Sequence, residues 1–434
     1  MSHKTLAIKG GTVIDADGSR RADVVIGDDG RILAVEAGLD GDRSLDASGC
    51  VVAPGFVDLH VHLRQPGHEE AETIEAGARG AALGGFTAVV AMPNTNPTID
   101  SAAVVREVQE LAAGVACDVF PSAAITVGRQ GEALAPMAEL ARLGVRIFTD
   151  DGSGVQNDRV MRAALEYAGS LTHLTGGQPL VLAQHCEVEA LAKGGVMHEG
   201  EWSSLLGMPG QPAEAEELMV MRDIALTRLT GTRIHFQHLS TAGSVAMVRA
   251  AKQAGLAVTA EATTHHFTLD HSSCAGFDSV FKVHPPLRTA EDLTAIKVGL
   301  ADGTIDAIAT DHAPHTAQDK DRPFGEAPPG MIGLETAFAL ANTELDLPIE
   351  QLIGLLSWRP AAIAGIADLH GGPIAEGSPA NITVLDPEAE WTVSGDGMAS
   401  RSTNTPYEGR RLRGRVRHTV LHGEPVVVDH AAVR

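Results

Sequence analysis

The chain has only four cysteines, Cys50, Cys117, Cys186 and Cys274, far apart and in no CxxC pair. Reduced thiols in a large cytosolic protein are therefore expected rather than a disulfide framework. Long apolar runs are missing too. None approaches the roughly 18 residues of a membrane span, and Met1–Gly11 contain no apolar h-region or signal-cleavage pattern. A cytoplasmic location follows as the expectation, with no membrane partner. Positive charge is also scarce, with 33 Lys and Arg against 56 Asp and Glu, a net charge of −23. That balance lacks the basic surface on which nucleic-acid binding draws, so no nucleic-acid partner is expected. No repeat of about 20–50 residues and no low-complexity tract occurs, which removes solenoid arrays.

What is present is the material of a large buried core. The 434 residues are 44% hydrophobic and 21% charged, the balance of a folded soluble protein of about two domains. Residues 1–54 read as short strands with turns, at Thr5–Ile8, Val13–Asp15, Asp23–Ile26, Ile32–Val35 and Cys50–Ala53, with Asp29-Gly30 as a hairpin turn. The texture returns at Asn381–Leu385, Trp391–Val393, Val416–Leu421 and Pro425–Val428, with a turn at His422-Gly423. Neither end carries enough apolar surface for its own core. Residues 1–54 and 375–434 are therefore expected to form one small β domain, a β-sandwich.

Between them, eight strand-like runs alternate with Ala-rich segments of helical period. The runs are Phe56–Leu59, Phe86–Ala91, Val119–Ile125, Val145–Phe148, Leu180–Ala183, Ile234–Gln237, Ala257–Ala260 and Ile305–Ala309. The helical pieces include Thr73–Leu83, Ala102–Ala113, Asp158–Ala168, Ala213–Arg228 and Ser244–Ala254. This α/β pattern over residues 55–374 predicts a distorted TIM-type (β/α)8 barrel, with an open doubly wound sheet as the other arrangement. A ninth run, Val280–Val283, reads as an extended loop.

In a parallel barrel, catalytic side chains collect where strands end. Here His60, His62, His185, His238, His265, His266, His284, His312 and His315 lie at or just past such ends. His60 and His62 are two apart on an extended segment and face one side. With His185, His238, Asp311 and an aspartate from the fourth run, Asp150 or Asp151, they form a donor set suited to Zn²⁺ or a similar divalent ion. Four imidazoles with two carboxylates exceed the needs of one four-coordinate zinc, so one or two ions per subunit are expected, a pair sharing a carboxylate and a hydroxide.

Gly55-Phe56-Val57-Asp58-Leu59-His60-Val61-His62-Leu63-Arg64-Gln65-Pro66-Gly67, Met92-Pro93-Asn94-Thr95, Phe148-Thr149-Asp150-Asp151-Gly152, Ala309-Thr310-Asp311-His312-Ala313-Pro314-His315 and Gly330-Met331-Ile332-Gly333-Leu334-Glu335-Thr336 resemble the signatures of the dihydroorotases, the bacterial long-chain type within the amidohydrolase superfamily. The likeness runs over essentially the whole chain. It implies a distorted (β/α)8 barrel beside a small β domain, and reversible closure of N-carbamoyl-L-aspartate to dihydroorotate, a step of pyrimidine biosynthesis. By the same resemblance His60, His62, Asp151, His185, His238 and Asp311 hold metal, a metal-bound hydroxide attacks the ring amide, and Asp311 shuttles the proton to the ring nitrogen. The substrate carboxylate needs local positive charge. Arg64 offers a planar fork for it, projecting to the same side as His62 two residues earlier. His62, Asn94 and His315 are implied as further substrate contacts, with the backbone of Pro329 and Gly330 facing the ring amide.

The fourth run separates the chain from related families, and two departures from its own family, His284 and a longer Gly169–Gln178 segment, stand out. Hydantoinases and allantoinases, similar elsewhere, place a carboxylated lysine in the fourth run, whereas Arg146-Ile147-Phe148-Thr149-Asp150-Asp151 contains none. Where the family has Asn-Pro-Pro-Leu-Arg, this chain has His284-Pro285-Pro286-Leu287-Arg288, and His284 is expected to take up the substrate contact with a single hydrogen bond. His265 and His266 are expected either to orient metal ligands or to pack. The stretch Gly169–Gln178 should lie away from catalysis, and Thr316–Pro329 should be a cover over the site or a solvated loop. A homodimer and an association with aspartate carbamoyltransferase belong to the same set of expectations. Two rivals stay open: another cyclic amidohydrolase acting on hydantoins, dihydropyrimidines or allantoin, and a non-catalytic dihydroorotase-like partner of aspartate carbamoyltransferase.

Overall fold

The computed structural model describes residues 5–434. Eight parallel strands follow one another along the chain: β1 (Phe56–Val61), β2 (Phe86–Ala91), β3 (Asp118–Pro121), β4 (Ile147–Thr149), β5 (Val181–Gln184), β6 (Ile234–Phe236), β7 (Val258–Thr263) and β8 (Ala307–Ala309). They pair in the order β1–β2–β3 and β4–β5–β6–β7–β8. Single parallel bridges, Ala123 with Phe148 and Val61 with His312, join the two groups at both edges. The strands thus run in a closed circuit, and an open doubly wound sheet does not describe them. Each observed strand falls on one of the eight expected runs.

Two apolar clusters explain the circuit. Val57, Leu59, Ala88, Val90, Ile147, Val181 and Ala307 pack together with Ala361 and Ile363. Phe56, Val61, Phe86 and Val89 belong instead to a larger cluster with Ala78, Val105, Leu165 and Val248 of the helices. Side chains of β1 and β2 thus enter two separate apolar clusters, as a strand buried on both faces requires. The pairing of β1 with β2 slips between Asp58 and Val61, and such irregularities commonly re-aim side chains beside active sites. The helices start where the sequence offers caps. The Thr73 side chain accepts from the Ala76 amide ahead of Ile74–Leu83, and Asn157 accepts from Arg159 and Val160 ahead of Asp158–Ser170.

The two ends of the chain meet in a seven-stranded sheet. Val51–Pro54 pairs antiparallel with Ile382–Leu385 and parallel with Thr12–Asp15. A four-stranded sheet, Ile32–Glu36, Asp23–Ile26, Leu6–Lys9 and Arg43–Asp46, lies against it. Ile8, Val24 and Ile26 from one sheet share a core with Val13, Val52, Val384 and Val420 from the other. His422 and Gly423 both have positive φ, 50° and 81°, as a two-residue type I′ hairpin turn demands. The strands Gly18–Arg21 and Arg43–Asp46 went unexpected, because both are polar edge strands that carry almost no apolar signal. The ninth run contains a short 3-10 turn at Ser279–Phe281.

Candidate active site

Residues just past the carboxyl ends of β1, β2, β4, β5, β6 and β8, with the loop beyond β7, line a cavity of about 240 Å³. The chain turns sharply after β4, and the Asp151 carboxylate meets four imidazoles there. Its Oδ1 lies 3.3 Å from His60 Nε2, 3.5 Å from His185 Nδ1 and 3.7 Å from His238 Nε2, while Oδ2 lies 3.6 Å from His62 Nε2. Asp311, just past β8, places Oδ1 3.0 Å from His62 Nε2 and 3.5 Å from His60 Nε2. The residue before Asp151 is spent elsewhere. Asp150 accepts from the Ile125 and Thr126 amides and the Thr126 hydroxyl, bracing the chain beyond β3. The turn ends at Gly154, with φ +62°. A Cβ there would sit 2.5 Å from the His185 carbonyl oxygen, so only glycine fits.

Hydrogen bonds fix which ring nitrogens face inward. His60 Nδ1 lies 3.0 Å from Glu261 Oε1, which leaves Nε2 as the nitrogen that points at the two aspartates. His62 Nδ1 likewise lies 2.9 Å from Asn94 Oδ1. Glu261 also holds His235 Nε2 at 3.1 Å and is fully buried on β7. Gln237 packs its amide 3.3 Å from His60 Nδ1 and accepts from Thr149. His185 Nε2 faces Glu187, which is held by Gln211.

The potential in this site is negative. Burial works against charge on His60 and His185, yet Asp151 with Asp311 raises the first well above the usual imidazole range, and Asp151 with Glu187 raises the second to about 10. Both aspartates are held far below the usual carboxylate range against the cost of burial by the surrounding histidines. A field that draws protons so strongly also draws a divalent cation. The donor set supports the same conclusion. His60 Nε2 is buried and has no hydrogen-bond partner among the described residues. The groups His60, His62, Asp311 and His60, Asp151, His238 each bring their ligand atoms within 4.8 Å of one another. Their nitrogen–oxygen spacings bracket about 3.3 Å, the edge of a tetrahedron with bonds of about 2.0 Å. The residues fit a metal ion.

The other wall of the cavity is built from loops. Arg64 donates from Nε to the Pro314 carbonyl, and its Nη2 lies 3.2 Å from His315 Nε2. It does not reach the cavity by strand alternation, since β1 ends at Val61 and Arg64 sits in a turn with φ +59°. His315 Nε2 is shared between Arg64 and the Pro329 carbonyl at 2.8 Å. Burial, then the nearby cations, keeps His315 neutral with a pKa down to about 3. His284 lines the cavity with its Nε2 buried and unpartnered among the described residues, and burial lowers its pKa to about 4. Asn94 also lines the cavity, but its amide is engaged by His62 and, at 3.3 Å, by Asp151.

Known proteins share both sequence and shape with this chain. A family model described as Dihydro-orotase-like matches residues 49–244. The dihydroorotase of Pelotomaculum thermopropionicum is 47% identical over 98% of this chain and 99% of its own length. That of Mycobacterium leprae is 47% identical over 91% of this chain and 92% of its own. The chain belongs to the dihydroorotase family. Among solved structures, the L-hydantoinase (dihydropyrimidinase) from Arthrobacter aurescens matches with a TM-score of 0.88 at 22% identity, covering 99% of this chain and 98% of that one. The dihydropyrimidinase from Brevibacillus agri matches with a TM-score of 0.84 at 23% identity, covering 99% and 96%. These likenesses speak for the fold.

Of the dihydroorotase positions named from the sequence, His62, Arg64, Asn94, Asp151, His185, His238, His284, Asp311, His315, Pro329 and Gly330 all line the one cavity, and His60 lies beneath it. No residue of Gly169–Gln178 does. His265 and His266 make no hydrogen bond to a ligand ring among the described residues. His266 is tied to Thr263 and to the Pro285 carbonyl. Orientation is supplied instead by Glu261 and Asn94. Glu261 escaped notice because a lone glutamate inside an apolar strand announces neither a turn nor a motif. Only its burial against two imidazoles gives it away. The segment Thr316–Pro329 is pinned. The Lys320 ammonium donates to the Pro328 and Gly330 carbonyls and that of Lys282 to Gly325.

Proposed function

We propose that this chain is a metal-dependent dihydroorotase, interconverting N-carbamoyl-L-aspartate and dihydroorotate on a distorted (β/α)8 barrel, residues 55–374, with residues 1–54 and 375–434 as the small β domain. The single observation that carries the reading is the Asp151 carboxylate within 3.3–3.7 Å of four imidazoles, beside Asp311 and under a wall bearing Arg64. His60, His62, His185 and His238 would hold one or two zinc ions with Asp151 and Asp311. When bound, zinc supplies Lewis acidity and lowers the pKa of a water to about 7.

The chain's own groups do the rest. Asp311 is kept ionised by its histidine neighbours, so in the hydrolytic direction it can take the proton of the attacking water. It returns that proton to the ring nitrogen as the C–N bond breaks. Arg64 presents a fixed cation to the ring carboxylate in a site otherwise dominated by anions. His284 and His315, held neutral by burial, offer single hydrogen bonds without adding charge. Pro329 and Gly330 turn their backbone toward the ring amide.

Turnover separates this reading from its neighbours. The purified protein should hydrolyse dihydroorotate and leave dihydrouracil and hydantoin untouched; the opposite pattern would assign it to the hydantoinases. The absence of a lysine from Arg146–Asp151 and the presence of Arg64 favour the first outcome. Charge bookkeeping gives a second check. The open chain has two carboxylates and the ring one, so closure takes up a proton and acid must favour the ring. An equilibrium ratio flat from mildly acid to alkaline pH would remove the assignment. The reading extends to a homodimer, and to association with aspartate carbamoyltransferase, both measurable by light scattering of the purified protein alone and with that enzyme. No helix among the described residues is long and apolar enough to cross a membrane.

A further inference from the structure

The segment that follows the strand Ile382–Thr392 returns to the catalytic rim before the chain resumes its sheet at Arg411–Leu421. It lies across the rim as a strap. The Ala399 amide donates to Glu335, the Ser400 hydroxyl to Glu72 at 2.5 Å, and the Ser402 hydroxyl to the Ala71 carbonyl at 2.7 Å. At its far end Asn404 is buried, with 7% of its surface exposed. Its Nδ2 donates to the Ala313 and Gly330 carbonyls, both at 3.1 Å. Its Oδ1 accepts from the His315 amide at 3.2 Å, and its own carbonyl accepts from Ile332.

We infer that Asn404 is a positioning residue for the substrate-facing wall: within the long connection after β8 it clamps the early part, which carries His315, to the later part, which carries Pro329 and Gly330, beside the Ala313–Met331 backbone bond that also joins them. The inference rests on the functional reading above, in which those three residues meet the substrate. Asn404 does not line the cavity. It acts through two donors and one acceptor, a combination that neither a carboxylate nor a hydroxyl reproduces. The fit on the wall side is equally tight. A Cβ on Gly330 would sit 2.8 Å from the Ala313 Cβ and 2.9 Å from His315 Nε2, so the two parts are already in close approach where the amide ties them. The metal-binding rim is untouched by this clamp. None of Asn404's partners is among the six proposed ligands. A loss of Asn404 should therefore loosen substrate binding while leaving the ligand set intact.

The test uses the full-length, metal-loaded enzyme with Asn404→Asp and Asn404→Ala. The aspartate keeps the size of the side chain and the acceptor for the His315 amide but removes both donors, so it serves if the alanine variant fails to fold. Both variants should raise KM for dihydroorotate about tenfold or more, the cost of one or two misplaced hydrogen bonds, with kcat within about threefold and metal content unchanged. Amide hydrogen exchange should quicken in both at Ala313 and Ile332, whose bonds to the Met331 and Asn404 carbonyls join the stretches the clamp holds together, and at His315, which loses its own acceptor, in the alanine variant alone. Unchanged KM with unchanged exchange overturns the clamp. So does a fall in kcat and metal content at constant KM, which would mark Asn404 as general support for the fold. If the parent enzyme fails to turn over dihydroorotate, the functional reading falls by itself, and the exchange pattern then decides the clamp: residue-selective quickening upholds it and an unchanged pattern overturns it.

Discussion

The two sides of the cavity are built on different principles. The proposed ligand side takes its six residues from the ends of five strands or the turns just beyond them, His60 and His62 sharing β1, and backs the rings with the buried Glu261 and the half-buried Asn94. The proposed substrate side is made of loop segments tied together by side chains, with Arg64 against Pro314, Lys320 against Gly330 and Asn404 against Ala313. Strand ends are held by a continuous hydrogen-bonded circuit and can keep charged groups at fixed separations. Loops depend on a few cross-links and can be altered one contact at a time. Damage to the first side should therefore appear in metal binding and kcat, and damage to the second in KM.

The sharpest way to break that contrast is Asp311→Asn. Loss of the proposed proton carrier should lower kcat by about 10²–10⁴-fold with KM moving only severalfold, measured by steady-state kinetics on metal-loaded protein. Preserved kcat would remove Asp311 from the chemistry. Arg64→Met tests the opposite side. Removing a charge-assisted contact worth about 1.5–3 kcal/mol should raise KM for dihydroorotate by one to two orders of magnitude, with metal content equal to that of the parent protein. A comparable loss in kcat alone would contradict the division of labour.

Glu261→Gln sharpens the comparison from behind the ligand side. One of the two carboxylate acceptors becomes a donor facing His60 Nδ1 or His235 Nε2, so the preferred tautomer of His60 is lost. Metal affinity should fall by about 10–100-fold in chelator competition, without change in the KM of fully loaded enzyme. An unchanged affinity would show that His60 needs no such backing.

The smallest effect lies away from both sides. Asp118 at the start of β3 meets His370 Nε2 and His422 Nε2, each at 2.9 Å, linking the strand circuit to the C-terminal hairpin. Burial would raise its pKa, yet the two imidazoles lower it from 3.8 to about 2. A depressed carboxylate contributes stability above its unfolded value and loses it as pH falls through the folded one. The contribution should fade between about pH 4 and pH 2. Asp118→Asn should cost about 1 kcal/mol or less at neutral pH, and its melting temperature should fall less steeply than the parent's across that acid window. Parallel acid profiles for the two proteins would count against the linkage.

The ligand side was readable from the chain because its signals are local. A histidine or aspartate that ends an apolar run is visible in a window of a few residues, and the parallel circuit brings all such ends to one rim. Asp150 and Asp151 could not be told apart this way, since both follow the same short strand. Only the amides of Ile125 and Thr126, some 25 residues back, show which carboxylate is spent on bracing. The polar edge strands Gly18–Arg21 and Arg43–Asp46 gave no periodic signal because they bury almost nothing.

What the amino-acid sequence determined alone was the alternation of runs and helices, the residues poised at the run ends, and the family to which these motifs point. Each is a property of neighbours along the chain, set by side-chain period and by the chemistry of adjacent groups. Tertiary structure decided which aspartate faces the four imidazoles, which nitrogen of His60 points at the aspartates, and that a segment more than 70 residues beyond Gly330 reaches back to hold the wall. Those depend on contacts between distant stretches, and a linear pattern carries no record of which buried polar groups will find one another when the core closes.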